Sequence, residues 1–167
     1  MKSTLIIAIG VFLSANSYAK NPTAQAILES RSGSKTTGTI NFTQTNEILK
    51  IEYKVAGLKA NSSFGFHIHE KGDCSSLDAK SAGSHFHKIA DVGGTSKETP
   101  GAFAGDLPQI KSNEKGIAEG FVTATEVSLN KINSVEGLAI MIHSGPDDVT
   151  KPSAPRIACG MIISKLK

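Results

Sequence analysis

The sequence has no long apolar segment beyond its first residues and no stretch with the periodicity of an amphipathic helix. The first absence argues against a membrane-spanning mature protein, and the second predicts a fold built from strands. The formal charge of +3 at pH 7 is close to balanced, so composition alone favours neither nucleic acid nor a membrane surface as a partner. The 167 residues are enough for one domain with a sizeable core.

The first residues carry the pattern of a secretory signal peptide. Lys2 precedes the apolar run LIIAIGVFL at 5–13, and small residues lead up to a cleavage site after Ala19. The run is too short to span a bilayer, and no cysteine follows the site to carry a lipid anchor. We predict a signal peptide at 1–19, a mature domain at 20–167 with a formal charge of +3 − 1 = +2, and a periplasmic location.

Cysteine is scarce, since Cys74 and Cys159 are the only two in the chain. In an exported protein an even pair indicates one disulfide, which here would close a loop of 159 − 74 + 1 = 86 residues. The chain-entropy model gives such a bridge about 4 kcal/mol of stabilisation. The alternative is a pair of free buried thiols, which an oxidising compartment disfavours.

The remaining pattern predicts an all-β domain. Alternation with period two is clearest at 48–58, where the odd-numbered side chains from Leu49 to Val55 form an apolar face. Glycine-rich turns separate segments of this kind, which predicts seven or eight short strands in a Greek-key sandwich or barrel. The predicted strands are 23–30, 35–44, 48–58, 63–70, 116–127, 137–143 and 156–164.

Residues 71–115 form a long, polar, glycine-rich segment that does not fit the strand pattern. A loop of this size in a compact domain is usually either functional or disordered. This one contains Cys74, and a disordered linker would not need a cysteine that pairs with the last strand. It also contains His85, His87 and Asp106. We therefore predict a functional loop that is held in place.

Histidine is absent from the first 66 residues, and all five histidines lie within 67–143. His67 and His69 face the same side of a strand, because side chains alternate with period two. Two imidazoles on one face can bind one metal ion, although such a pair also occurs on ordinary solvated strand faces. His143 ends an apolar strand. With no spare thiolate, an all-nitrogen site suits copper.

Five motifs in order carry a resemblance to a known family: GFHIHEKGDC, SAGSHF, AGDLP, MIHSGPDD and APRIACGMI. Together they resemble the copper/zinc superoxide dismutase family in its bacterial secreted form. The resemblance implies an eight-stranded Greek-key β-barrel and the copper-dependent conversion of superoxide to O₂ and hydrogen peroxide. It implies superoxide as the partner, without nucleic acid or stable membrane association, and leaves a homodimer open.

The resemblance also assigns residues to the site. Arg156 matches the family's active-site arginine, and a permanent, forked cation beside the metal would attract and orient a small anion. His85 is implied to be catalytic as well as a ligand, because it bridges to zinc in the family and can deliver a proton. Cys74 and Cys159 match the family's disulfide. The implied copper ligands are His67, His69, His85 and His143.

The implied zinc site is incomplete in this chain. Asp106 matches the family's zinc-ligating aspartate, but Phe103 and Val92 stand where the family has histidines, and neither side chain binds a metal. Structural zinc requires four ligands, so the chain resembles the copper-only branch of the family. A site completed by His87 with Asp91 or water is the alternative, and a solvated loop histidine is the simpler interpretation of His87.

Two further departures concern the surroundings of the copper site. The charged loop before Arg156 is reduced to 149–155, which predicts a more open site with Lys151 as a source of positive field. Asp147 matches an aspartate that links ligand histidines in the family, and we predict that it still orients His67. Without zinc, we expect the other nitrogen of His85 to be protonated or bonded to water.

The alternative function is a catalytically weak, periplasmic copper-binding or copper-storage protein on the same fold. The shortened loop and the incomplete zinc site favour it, whereas Arg156 argues against it, because storage does not need an anion guide. A purely structural β-sandwich is disfavoured by four ligands at matching positions.

Overall fold

The computed structural model describes most of the chain. The predicted signal peptide lies outside the described residues, and so do Asp91, Val92 and Lys151. Within the described part, no helix has the length and apolar character needed to cross a membrane. The described residues are 21–87, 103–148, 150 and 153–165.

The described residues form an all-β fold in which every pairing between named strands is antiparallel. Their only helical element is a 3-10 turn at Lys80–Ala82. The last predicted strand is divided in two at Ile162, which is fully buried. The strands are β1 Thr23–Ser30, β2 Thr37–Thr45, β3 Ile48–Ala56, β4 Ser63–His69, β5 Asp106–Lys111, β6 Ala118–Ala124, β7 Ala139–His143, β8 Arg156–Met161 and β9 Ile163–Ser164.

The strands curve into a nearly closed eight-stranded barrel. Their hydrogen-bonded order is β5-β4-β7-β8-β1-β2-β3-β6, and β9 adds a short pairing to β1. The two end strands, β5 and β6, approach each other and bring the ends of the sheet together. β7 lies beside β4 rather than beside β6, which is a Greek-key connection. The predicted all-β, eight-stranded Greek-key fold is therefore confirmed.

The barrel interior confirms the alternation predicted for β3. Leu49, Ile51 and Val55 are fully buried. Tyr53 lies on the same face and packs edge-on against Phe66, with 5.8 Å between the ring centroids. Burying an aliphatic side chain of this size stabilises the fold by roughly 1.5–3 kcal/mol, and a shift of one residue would expose the whole set. The apolar face therefore fixes the register of β3.

β5 lies within the segment 71–115 that the sequence pattern predicts as one long loop, and that prediction is wrong over these six residues. Leu107 and Ile110 are three residues apart rather than two, because a bulge interrupts the pairing of β5 with β4. Pro108 also hides this strand at the level of sequence, because proline is unusual within a strand. Because β5 ends the hydrogen-bonded order, one of its edges is free of ladder bonds and tolerates a proline.

The loop after β4 covers the outer face of the barrel. The predicted disulfide between Cys74 and Cys159 is present and ties this loop to β8. Under it, Ala79 packs with Ala139 and Met141 in a small cluster separate from the barrel core. β4 and β7 are thus buried on both faces, by the barrel interior on one and by the loop on the other. The histidines lie on the side that the loop covers.

Candidate metal centre

Four of the five histidines converge on the outer side of β4. His67 and His69 project from the same face of this strand, as the alternation predicts. His143 ends the neighbouring β7, and His85 reaches the group from the loop through a single bridge to His69. One ring nitrogen of each histidine lies within 4.8 Å of the corresponding nitrogens of the others. The four residues predicted as copper ligands are therefore brought together.

Three nitrogens at the centre of this group are buried without a hydrogen-bond partner: His67 Nδ1, His69 Nε2 and His143 Nε2. Leaving a buried polar atom unpaired costs about 1–3 kcal/mol, so three such atoms in one place require an explanation. A bound metal ion would satisfy all three. Because the donors are imidazole nitrogens without a thiolate or carboxylate among them, the residues fit copper.

His67 is oriented by a carboxylate on the segment after β7. Its Nε2 donates a hydrogen bond to Asp147 Oδ2 at 3.0 Å, which confirms the predicted contact and directs Nδ1 towards the metal position. Gly65 provides the necessary space. A Cβ at this position would lie 2.5 Å from Asp147 Oδ1 and 2.9 Å from His67 Cε1. Glycine is therefore required here for close packing against the site.

Main-chain carbonyls orient two of the other rings. His69 Nδ1 donates to the carbonyl of Gly83 at 3.1 Å, and His143 Nδ1 donates to that of Ala154 at 2.9 Å. Burial is the main cause that lowers the pKa of His69 to about 2 and that of His143 to about 3, and the positive charge of Arg156 adds to both shifts. Both imidazoles therefore stay neutral, which is the form that binds a metal. No sequence pattern predicts these carbonyl contacts, because every residue carries the same acceptor.

His85 is held by the aspartate that the resemblance assigns to zinc. Its Nδ1 donates to Asp106 Oδ1 at 2.7 Å, and Asp106 Oδ2 lies 3.4 Å from the amide nitrogen of Phe103. His85 Nδ1 therefore acts as a hydrogen-bond donor, which is one of the two states expected without zinc, and its partner is the Asp106 carboxylate rather than water. The carboxylate leaves His85 Nε2 available for copper and fixes the ring in a defined tautomer.

The described residues do not form a second metal site beside the four histidines. Phe103 is buried, and its ring lies 5.9 Å from that of His85 and 4.2 Å from that of His87, measured between centroids. Among the described residues, the four copper-site histidines are the only group of three or more side chains that converge as metal ligands. His85, His87 and Asp106 do not form such a group, and Asp91 lies outside the described residues, so the alternative zinc site has no support in the described part of the chain.

Arg156 begins β8 and lies beside the histidines. Its Nη1 donates to the carbonyl of Ala79 at 2.8 Å and its Nη2 to that of Gly83 at 2.6 Å. Partial burial lowers the pKa of Arg156 from its very high ordinary value, and the carboxylate of Asp78 opposes this shift. Because Gly83 also accepts from His69, the guanidinium and one predicted ligand share an anchor. The arginine is thus fixed in position next to the metal site.

A Greek-key barrel with four converging imidazoles on its outer face defines the class: a β-barrel metalloprotein whose site suits copper. The family model described as copper/zinc superoxide dismutase (SODC) matches residues 36–162. The chain is 33% identical over 166 residues to Cu-Zn superoxide dismutase 2 of Aquifex aeolicus, covering 94% of this chain and 96% of that protein. It is 32% identical over 150 residues to the Cu-Zn superoxide dismutase of Yarrowia lipolytica, covering 83% and 96%. The chain belongs to the copper/zinc superoxide dismutase family.

Proposed function

We propose that this protein is a copper-dependent superoxide dismutase that works without zinc. The observation that supports this most directly is the convergence of four imidazoles with buried, unpartnered nitrogens at their centre. The fixed guanidinium of Arg156 beside them supports an enzyme rather than a storage protein, because storage does not require an oriented cation for an incoming anion. The relatives, which are named superoxide dismutases, agree with this function.

Copper, when bound, supplies the one-electron exchange by which one superoxide is oxidised to O₂ and another is reduced to hydrogen peroxide. Arg156 attracts the substrate anion and orients it, since two of its N–H groups are fixed by carbonyls and the charge is permanent. His85 would hold copper through Nε2 and, when released from the metal, would carry one proton on that nitrogen to the reduced substrate, the second proton coming from solvent. Asp106 accepts from Nδ1 of the same ring and thereby holds the ring so that Nε2 faces the site.

The decisive experiment loads the disulfide-intact mature protein with copper alone and measures superoxide dismutation. We expect rapid turnover that added zinc does not improve. A His143→Ala variant serves as the control, because it removes one ligand from the end of β7 and should lose activity. Tight copper binding with negligible turnover would contradict the proposal and favour copper storage.

The absence of zinc is tested separately by metal content. After exposure to both metals and desalting, we expect about one copper per chain and almost no zinc, because structural zinc needs four protein ligands. The supporting observation is that Asp106 is hydrogen-bonded to His85 and that Phe103 packs against the same ring. Zinc retained at one equivalent per chain would contradict this part of the proposal.

We further propose that the protein is exported to the periplasm and that cleavage of residues 1–19 leaves a mature domain at 20–167. The disulfide between Cys74 and Cys159 supports an oxidising compartment. The test is N-terminal sequencing of the protein recovered from the periplasmic fraction. A start at Lys20 is expected, whereas an intact N-terminus in the cytosolic fraction would contradict export.

A homodimer is proposed through an apolar strip defined as Ile27, Met161 and Ile163. These side chains are 42–56% exposed and line a groove of about 410 Å³. Glu29 and Lys165 line the groove towards its opposite ends, because β1 runs antiparallel to β8 and β9. A two-fold axis that lies in the interface and crosses the strip perpendicular to β1 would place Glu29 of each copy against Lys165 of the other, so the surface is self-complementary in charge in that arrangement.

Sedimentation velocity tests the dimer. We expect a dimeric native protein and a monomeric Ile163→Lys variant, because the new charge would be buried without a partner. Phe121→Lys is the matched control, since Phe121 is a similarly exposed apolar residue on β6, away from the strip. A native protein that sediments as a monomer at all concentrations would contradict the proposed dimer.

A further inference from the structure

The turn between β1 and β2 binds the strand that carries the active-site arginine. The amide of Arg31 donates to the carbonyl of Ile157 at 2.8 Å. Ser32 Oγ donates to the carbonyl of Arg156 at 2.8 Å, and Ser34 Oγ donates to that of Ile157 at 2.5 Å. Three hydrogen bonds therefore fix the first two residues of β8 to this turn.

The same turn also binds the disulfide-tied loop. Arg31 Nε donates to the carbonyl of Cys74 at 2.8 Å, and the amide of Ser32 donates to the carbonyl of Leu77 at 2.7 Å. The Arg31 side chain is 16% exposed, and its two terminal nitrogens donate to the Ser30 carbonyl and to Glu29. All three guanidinium nitrogens are thus engaged within the protein, which fixes the orientation of the side chain.

We propose that Arg31 is a positioning residue for Arg156. It holds the loop whose carbonyls, from Ala79 and Gly83, anchor the Arg156 guanidinium. The disulfide attaches this loop to β8 at Cys159, three residues beyond Arg156. Arg31 adds a charge-assisted attachment to the turn, beside the main-chain bond from Ser32 to Leu77. The inference rests on the proposed function, in which Arg156 orients the substrate anion.

The contact with Cys74 is the one that matters for this role. Glu29 is 71% exposed, so its ion pair with Arg31 is screened by solvent and contributes little. The bond from Arg31 Nε to the Cys74 carbonyl is shielded and charge-assisted, which makes it the stronger of the two. Glu29→Gln therefore removes the ion pair and leaves the tie to the loop, whereas Arg31→Met removes both.

The first measurement is the rate at which a phosphine reductant cleaves the disulfide in the metal-free protein under native conditions. Reduction at this site requires the loop to open locally, so loss of one charge-assisted hydrogen bond should accelerate it roughly tenfold in Arg31→Met. Arg31→Lys keeps the positive charge but not the forked N–H donors of the guanidinium, so we expect an intermediate rate of disulfide reduction. Glu29→Gln should resemble the unsubstituted protein when both are measured at a concentration where the chain is monomeric, since the proposed dimer contact of Glu29 is then absent. An unchanged rate in Arg31→Met, or an equal acceleration in Glu29→Gln, would overturn the proposal.

The second measurement is azide binding to the copper-loaded full chain, followed by the copper absorption spectrum. Azide is a small anion, so its affinity reports the position of Arg156. We expect roughly threefold weaker binding in Arg31→Met, with an unchanged spectrum before azide is added, because the ligand histidines are not displaced. Faster disulfide reduction with unchanged azide affinity would overturn the positioning role. Neither readout depends on turnover, so absence of dismutase activity would be recognised separately.

Discussion

At the scale of single residues, the space beside His67 depends on the missing side chain at position 65. Gly65→Ala would bring a methyl group to 2.5 Å from Asp147 Oδ1 and 2.9 Å from His67 Cε1. One of the two groups must move, so the hydrogen bond that directs His67 Nδ1 is lost. We expect copper affinity to fall about 10- to 100-fold, as measured by competition with a chelator.

The control for this change is Gly145→Ala. A Cβ at Gly145 would lie 3.9 Å from the Ala154 methyl, which is an ordinary van der Waals contact. Gly145 also lies near the site, since its carbonyl accepts from the Gly65 amide at 2.8 Å. Equal losses of copper affinity in both variants would show that steric crowding of His67 is not the cause.

A second prediction concerns the carboxylate that holds His85. Asp106→Ala removes the acceptor for Nδ1, so the ring loses its fixed tautomer and copper affinity should fall about 10- to 100-fold. Asp106→Asn keeps an oxygen acceptor without the charge, and an intermediate affinity is expected. Chelator competition gives the affinity, and electron paramagnetic resonance reports the copper geometry. An Asp106→Ala protein with unchanged affinity and spectrum would contradict this role for Asp106.

The residues of the site differ in how far sequence could predict them. The shared face of His67 and His69 follows from strand alternation, which holds wherever a strand forms. The bond between His85 and Asp106 depends on how the chain returns to β4 through β5, and local sequence does not specify that path. The hydrogen bonds to the carbonyls of Gly83 and Ala154 cannot be predicted from the sequence, because side-chain identity does not determine which donor a backbone oxygen accepts from.

At the scale of elements, the disulfide and the turn after β1 both hold the loop, but they act on different states of the chain. The disulfide mainly restricts the unfolded chain, so Cys74→Ser with Cys159→Ser should lower the free energy of unfolding by up to about 4 kcal/mol. Urea denaturation measures this loss. In the folded state the contacts of Arg31 and Ser32 remain.

Because those contacts keep the loop in place, the copper spectrum of the folded double variant should match that of the unsubstituted protein. This outcome distinguishes the disulfide's effect on stability from any effect on the metal site. A double variant that stays folded but has an altered copper spectrum would show that the disulfide itself shapes the site.

Strands were predictable to the extent that one face is apolar and the register is regular. β3 satisfies both conditions, and its predicted inward face is the observed one. β5 satisfies neither, because a bulge shifts its register against β4 and places its buried Leu107 and Ile110 three residues apart instead of two. Its pairing is set by β4, which is distant in sequence, so local pattern alone could not reveal it.

At the scale of the whole molecule, the copper site lies outside the barrel core. The large apolar side chains of β1 to β3 pack inside the barrel, while the ligand histidines face the covering loop. Metal is therefore not needed to form the apolar core, and we expect the metal-free protein to fold. The metal-free fold contains a group of buried, neutral imidazoles, and these imidazoles make its stability depend on pH.

The direction of that dependence follows from the lowered pKa values. His69 and His143 have pKa values of about 2 and about 3 in the folded protein, against 6.5 for an ordinary histidine. Between these pKa values the unfolded chain binds more protons than the folded one, so the free energy of unfolding rises with pH. The stabilisation is lost as the pH falls below about 6.5.

For two such groups, we expect the metal-free protein to be roughly 2–4 kcal/mol less stable at pH 5 than at pH 7. Urea denaturation at both values, in the presence of a chelator, measures the difference. His143→Ala removes one group and should reduce the difference by about half, whereas equal stability at pH 5 and pH 7 would contradict the burial of neutral imidazoles as its source.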